Sequence, residues 1–418
     1  MRVIFANRYF YPDQSATSRV VSSVAFGLAR RGFDVTVVSS REIHNQRDVV
    51  LPAKEIVGGV TIRRLSTTRF GRHSLLGRGV DYLFFHALAF FWMICNISFD
   101  DIAVICTDPP LLSVTSGLAL RWKNAVMVNW IMDLFPEAAI ELGYFARFKK
   151  TARLMLVLRD WSLRSRGLCI CPTDTMAEYI TRRGFRKDHV IVSHHWSDGE
   201  EIRPVERAQN SLRRKWGIES AFVVGYSGNF GRAHEFETML GAAERLKADE
   251  NIRFLMIGGG HHLSAVTAKA RTDDLRNILF RPLQPIENLS ESLGAADVHL
   301  VSLLPLLEHC VIPSKFYGIL AAGRATIFIG DPKGEVARVI QKTGCGLHVD
   351  LGDMDGLTRA IRYLRDNPAI CRSMGARARQ LLTSEYSRDG AIDAWCRIIT
   401  SIAALDLPSR HVSRGVSP

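Results

Sequence analysis

Short, continuously apolar runs alternate with segments of helical periodicity along almost the whole chain. Residues 2–7 read as a strand. Residues 16–31 carry Val20, Val24 and Leu28 at helical spacing and stop at Gly32, a residue type that commonly follows a helix end. Further strands are expected at 34–39, 60–65, 102–106, 125–131, 168–171 and 190–192. Around 198–210 the alternation lapses into a charged, proline-containing stretch and then restarts, with strands at 222–226, 253–257, 278–280, 298–302, 326–329 and 346–349. From about Asp353 onward the pattern is helical throughout. Continuous apolar strands separated by helices imply parallel sheets covered on both faces. The expected architecture is therefore α/β, with two doubly wound domains. Residues 1–198 form the first, residues 199–405 the second together with the C-terminal helices, and residues 406–418 a disordered polar tail.

Residues 80–97 approach the roughly 20 residues of a spanning helix. Asp81, His86 and Asn96 interrupt the run and a strand-like segment follows directly. The expectation is a helix buried in the domain or facing a membrane, not a span.

Composition narrows the class. A chain of 418 residues suits two or three domains, and 47% hydrophobic with 23% charged residues excludes a disordered chain. Lys plus Arg exceed Asp plus Glu by 54 to 42, a net charge of +12. Such a surface suits nucleic acid, an anionic membrane face or a phosphate-bearing substrate. The eight cysteines include no C-x-x-C, which argues against disulfides and structural zinc and fits a reducing cytosol. The first apolar run is too short for a signal peptide.

In open parallel sheets, ligands bind beyond the carboxyl ends of the strands, and three loops there carry candidate chemistry. After the first strand, Ser15, Ala16 and Thr17 precede a helix whose free N–H groups suit an anion; plain N-capping by Ser15 or Thr17 is the alternative. No G-x-G-x-x-G occurs there, against a nucleotide-dependent redox enzyme. After the first strand of the second half, Gly228, Asn229 and Gly231 let backbone approach a pyrophosphate, with Arg232 to neutralise it. Third, Glu308 leads to Pro313, Ser314 and Lys315, which open a helix at 316–322. There N–H donors, helix dipole and a point charge combine. Lys315 is expected to be exposed, so that its removal would leave stability intact. Gly258-Gly259-Gly260 reads as a flexible turn, and Asp353-Met354-Asp355 as helix capping and not a metal site.

Taken in order, these segments resemble the retaining glycosyltransferases of family 4. The resemblance spans nearly the whole chain. It rests on the run from Tyr11 to Thr17, on Gly32-Phe-Asp-Val-Thr-Val-Val and on Trp130-Ile-Met-Asp-Leu-Phe-Pro-Glu137. In the second half it rests on Tyr226-Ser-Gly-Asn-Phe-Gly-Arg232, Ile257-Gly-Gly-Gly, Ala295-Ala-Asp-Val-His and the run from Pro313 to Gly323. The chain departs from the family's E-x7-E pattern. The second position holds Gly318, the first falls near Cys310, and Glu308 is assigned in its stead. The usual lysine five residues after the phosphate-binding arginine is Glu237.

The resemblance implies a GT-B fold, with two Rossmann-like domains facing a cleft, acceptor on the first and nucleotide sugar on the second. It implies a hexosyltransferase that uses a UDP- or GDP-sugar without metal or cofactor. Lys315, Arg232 and Glu308 would act on the reacting groups, and Gly228, Asn229, Gly231, Pro313 and Ser314 would hold the donor. Ser15, Ala16, Thr17, Asp133 and Glu137 would meet the acceptor, a lipid-linked (polyprenyl-diphosphate) glycan of a bacterial surface polysaccharide. Basic clusters at Arg69, Arg72 and Arg78 and at Arg147, Lys149, Lys150 and Arg153 point to a cytoplasmic protein in peripheral contact with the inner membrane and not to nucleic acid. The alternatives are a non-hydrolysing sugar-nucleotide epimerase of the same fold and a non-catalytic sugar- or nucleic-acid-binding protein. The aromatic platforms that the last would need are not evident at the strand ends.

Overall fold

The computed structural model describes residues 1–44, 46, 49–70, 75–164 and 167–406. Arg72 and nearly all of the expected tail lie outside these residues. The chain divides into two units, one of Met1–Ser193 with the segment from Asp389 onward, the other of His194–Arg388.

In the first unit the strands are β1 (Val3–Ala6), β2 (Val35–Ser40), β3 (Lys54–Val57), β4 (Val60–Leu65), β5 (Ile102–Cys106), β6 (Val126–Trp130), β7 (Gly167–Cys171) and β8 (Val190–Val192). The helices between them are α1 (Ala16–Arg30), α2 (Leu75–Asn96), α3 (Leu112–Lys123), α4 (Glu137–Glu141), α5 (Lys149–Leu163) and α6 (Asp174–Arg182). The sheet order is β3-β4-β2-β1-β5-β6-β7-β8. All pairs are parallel except β3 with β4, an antiparallel hairpin strand that the apolar pattern does not reveal because Lys54 and Glu55 sit in it.

Side chains of the central strand alternate between the two faces of the sheet. Ile4 and Ala6 join Phe85, Ala89 and Met93 of α2 and Leu112, Ala119 and Leu120 of α3 in one core. Phe5 points the other way and packs on Trp395, which also lies 4.4 Å, ring to ring, from Trp130.

The second unit contains α7 (Ser211–Lys215), β9 (Phe222–Asn229), α8 (Glu237–Arg245), β10 (Ile252–Gly259), α9 (Leu263–Thr272), β11 (Ile278–Arg281), α10 (Leu289–Gly294) and β12 (Val298–Ser302). It continues with α11 (Lys315–Ala321), β13 (Ala325–Ile329), α12 (Glu335–Thr343), β14 (Gly346–Val349), α13 (Met354–Asp366) and α14 (Pro368–Glu385). Its six strands, all parallel, are ordered β11-β10-β9-β12-β13-β14. Tyr226, Phe254 and Leu300 face α8 and α13 on one side, whereas Val223, Leu255 and Ile257 face Ala295 and Ala296 on the other.

The last helix, α15 (Arg388–Asp406), corrects the expected domain limits. The residues from Asp389 belong to the first unit, and the boundary falls at Ser193 and not Asp198. The reason is packing. Trp395 is fully buried among first-unit aromatics, and Gly27 of α1 has no Cβ to obstruct Ile392, whose atoms would stand 2.6 Å from one.

Candidate functional site

In the second unit, strand order reverses between β9 and β12, so their carboxyl ends diverge into a crevice where such sheets bind ligands. Backbone and side-chain bonds tie the loop after β9 to the end of β12. Leu304 N–H donates to the Ala233 carbonyl (2.9 Å), Glu235 N–H to Ser302 Oγ (3.2 Å), and His234 Nδ1 lies 2.6 Å from the Ser302 carbonyl. His234 is pushed down to about 3, by burial first and then by Lys315, and so is neutral.

Lys315 reaches into this crevice from the first residue of α11. Its Nζ donates to the Tyr226 hydroxyl (2.6 Å) and stands 3.9 Å from the centre of that ring. The hydroxyl in turn donates to the Asn229 carbonyl (2.7 Å). Burial lowers the Lys315 ammonium to about 7. The side chain is half-buried, which corrects the expected exposed lysine: Tyr226, fully enclosed in the sheet, draws it inward. Gly228, at φ 138°, lies under it. That backbone conformation favours glycine, and a Cβ there would come within 3.3 Å of Lys315 Cε, so glycine leaves the lysine side chain room above the strand end. The crevice thus presents a cation on a bare backbone floor, chemistry suited to a diphosphate.

Gly258 and Gly260 are not a flexible turn. Gly258 is in register with Gly228, and a Cβ on it would fall 1.9 Å from the Gly228 carbonyl oxygen; one on Gly260 would fall 2.2 Å from Asn229 Oδ1. These glycines let β10 and the loop beyond it close against the Gly228–Asn229 floor. Arg232 is exposed just beyond that floor, and its charge helps lower His262. Gly231 is half-buried beside the Asn229 side chain. Pro313 is buried and Ser314 occupies the N-cap of α11 without a side-chain cap bond.

Glu308 is buried and directed to the start of α12. Its Oε2 accepts from Glu335 N–H (3.3 Å), and Gly334 leaves room for the carboxylate, since a Cβ there would fall 2.3 Å from Oε1. Burial, with Asp331 and Glu335 nearby, raises it to about 7. Asp353 caps α13 through Gly356 N–H (2.7 Å), the expected role.

In the first unit, Ser15 stands at the N-cap of α1, but its hydroxyl turns back to Asp13 and makes no cap bond. Asp13 also accepts from the Ser15 and His44 N–H groups, so it organises the loop. Ala16 is exposed and Thr17 half-buried. Asp133 is exposed after β6, on the rim of a cavity of about 30 Å³ lined by Thr107, Asn129 and Arg159 among others. Glu137 is different. It is buried against Arg159, with Nη1 at 3.0 Å, and accepts from the Tyr179 hydroxyl at 3.0 Å. A carboxylate saturated in this way is an internal ion-pair partner, so the acceptor contact expected of Glu137 is withdrawn.

Comparison with known proteins follows this division. A glycosyl transferase 4-like domain matches residues 15–196 and a glycosyl transferases group 1 domain matches residues 208–381. The chain belongs to the family 4 glycosyltransferases. Among relatives of this glycosyltransferase, WbjE of Pseudomonas aeruginosa is 24% identical over 393 residues, covering 92% of this chain and 94% of WbjE. WcaI of Escherichia coli strain K12, named for colanic acid biosynthesis, is 24% identical over 373 residues, covering 87% and 91%. Among solved structures, HepE of Anabaena in complex with UDP shares the fold, with a TM-score of 0.72 at 11% identity over 96% of this chain and all of HepE. The glycosyltransferase fold is GT-B, as the order of the motifs implies.

Tyr226 and His234 complete the crevice, and the loop signals alone do not single them out. The signal for Tyr226 is a phenolic hydroxyl at the end of the apolar run of a buried strand, which must find a partner when buried.

Proposed function

We propose that this glycosyltransferase is retaining and metal-independent. It moves a hexose from a UDP- or GDP-sugar to a glycan carried on a polyprenyl diphosphate, in bacterial surface polysaccharide assembly at the cytoplasmic face of the inner membrane. The carrying observation is Lys315 held over Gly228 at the switch point of the second sheet. The name of WcaI supports the class of product, and the UDP bound by HepE supports the class of donor. In this reading Lys315 and Arg232 supply the positive charge that a metal would otherwise bring to the diphosphate. The bond from the anomeric carbon to the diphosphate breaks as the acceptor oxygen bonds on the same face, and the departing diphosphate oxygen takes the acceptor's proton. The protein's part is positioning and fixed charge. Gly228, Asn229, Gly231, Pro313 and Ser314 frame the donor, and Glu308, poised near neutrality, serves the sugar hydroxyls. Ser15, Ala16, Thr17 and Asp133 serve the acceptor.

Titration calorimetry with UDP and with GDP in the presence of EDTA tests the reading. One of them binds with no divalent metal if it holds; binding of either only after magnesium or manganese is added overturns it.

A further inference from the structure

An amphipathic helix hides its apolar face and shows its polar one; a helix apolar all round is buried or spans a membrane. Helix α2 does neither. Its inner stripe, with Phe85, Ala89 and Met93, is fully buried on the sheet. Its outer stripe recurs at helical spacing as Leu76, Val80, Leu83, Phe84 and Phe91, all exposed, with Leu83 at 69% and Phe91 at 63%. By length and composition Leu76–Asn96 could cross a bilayer, yet the stripe of Phe85, Ala89 and Met93 is already committed to the core.

The apolar surface continues sideways. Helix α2 packs against α3 and α3 against α5, so the three helices form one layer. From α3 it gains Leu118 and Trp122, one turn apart, with Trp122 76% exposed. From α5 it gains Leu154, Val157 and Leu158 at i, i+3 and i+4. Exposed apolar groups scattered singly need no explanation, but a contiguous face on three adjacent helices marks an interaction site.

Charge selects the occupant. Arg147, Lys149, Lys150 and Arg153 are exposed around the first turn of α5, beside Phe148, and Arg121 is exposed beside Trp122. Asp81 and Asp160, the acidic residues of these three helices, are buried, so no described residue of theirs facing solvent is acidic. A second copy of this face would offer those cations no counter-charge. Anionic phospholipid headgroups offer it over acyl chains that take Leu, Phe and Trp.

We propose that the outer face of α2, α3 and α5 is a membrane-docking surface. The chain lies on an anionic bilayer with Leu83, Phe84, Phe91, Trp122 and Leu154 in the acyl boundary and the α5 cations among the headgroups. Because α2 and α5 each run against the direction of the strands they flank, their first turns lie at the carboxyl-end edge of the sheet, the edge that carries the Ser15–Thr17 loop and Asp133. Docking therefore brings that edge to the headgroup level. The inference rests on the helix surface alone and stands whether or not the acceptor is lipid-linked.

The test is co-sedimentation of the full chain with vesicles of phosphatidylcholine alone and with about 30 mol% phosphatidylglycerol. The variants are Leu83→Ser with Phe84→Ser and Phe91→Ser, and Lys149→Glu with Lys150→Glu and Arg153→Glu. The native chain is expected to bind the anionic vesicles. The apolar variant should lose at least about tenfold in partition, and the charge variant should lose the preference for anionic lipid, with melting temperature and nucleotide binding unchanged for both. Failure of the native chain to bind anionic vesicles, or equal binding by all three proteins, overturns the proposal. So does a concentration-dependent dimer, seen by light scattering, that the apolar variant abolishes without vesicle binding, since that assigns the face to a second copy.

Discussion

Replacing Lys315 by Met should stabilise the glycosyltransferase and disable it. The ammonium sits half-buried against Tyr226, and burial lowers it from 10.5 to about 7. At 1.36 kcal/mol per pH unit, that fall of about 3.5 corresponds to at most about 5 kcal/mol of desolvation cost in the empty site. Remaining solvation, the Tyr226 ring and the lost bond to the Tyr226 hydroxyl reduce the net gain for Met to about 1–2 kcal/mol. The pH dependence is specific. Below pH 7 lysine is charged in both folded and unfolded chains and the full cost applies. Between 7 and 10.5 only the unfolded chain holds the proton, so the cost shrinks as pH rises. Urea denaturation at pH 6 and pH 9 measures this; at 1.36 kcal/mol per pH unit the two units above 7 remove about 2.7 kcal/mol, so the Met advantage should be present at pH 6 and gone at pH 9. Transfer by the variant should fall about a hundred- to thousandfold, the usual loss when a charge-stabilising contact is removed. A variant less stable than the native chain at pH 6, or a difference independent of pH, would refute the reasoning. So would a stable variant with native turnover.

Three further outcomes follow from the same geometry. Nucleotide binding at pH 8 should take up a proton, because a bound diphosphate favours charged Lys315, and affinity should weaken as pH rises above 7; calorimetry in buffers of different ionisation enthalpy reads this directly. Gly258→Ala should lower stability by about 3 kcal/mol or more and weaken nucleotide binding, since its Cβ meets the Gly228 carbonyl; chemical denaturation with an unchanged midpoint contradicts it. Glu137→Ala should cost about 3–5 kcal/mol by leaving the Arg159 charge buried without that partner, with no specific change in acceptor KM at temperatures where the variant stays folded.

The alternation of apolar runs and helices made both sheets legible, because strands such as Val3–Ala6 and Ile102–Cys106 are buried on both faces and are apolar throughout. The antiparallel β3 escaped because it lies at the sheet edge and carries an exposed Lys54 beside Glu55. Lys315 was legible from its place after a strand at a helix start. Its partner was not: nothing in the local sequence joins Lys315 to Tyr226, 89 positions away. Glu137 reads as a ligand residue for the opposite reason. Its neighbours in sequence suggest a strand-end carboxylate, and Arg159, which satisfies it, lies 22 positions on. The C-terminal helix was legible as a helix, but its allegiance depends on Trp395 meeting Phe5 and Trp130.

That allegiance fixes an order of events during synthesis. The polypeptide leaves the first unit at Ser193, builds all of the second, and returns at Asp389. A ribosome working from the amino end therefore releases a complete second sheet while the first still lacks the helix that seals Phe5 and Trp130. Until Trp395 emerges, the earlier-made half carries an open aromatic groove, and its final cooperative closure waits on the segment that follows Asp389. A nonsense codon near position 389 would thus injure the half of the protein that was translated first.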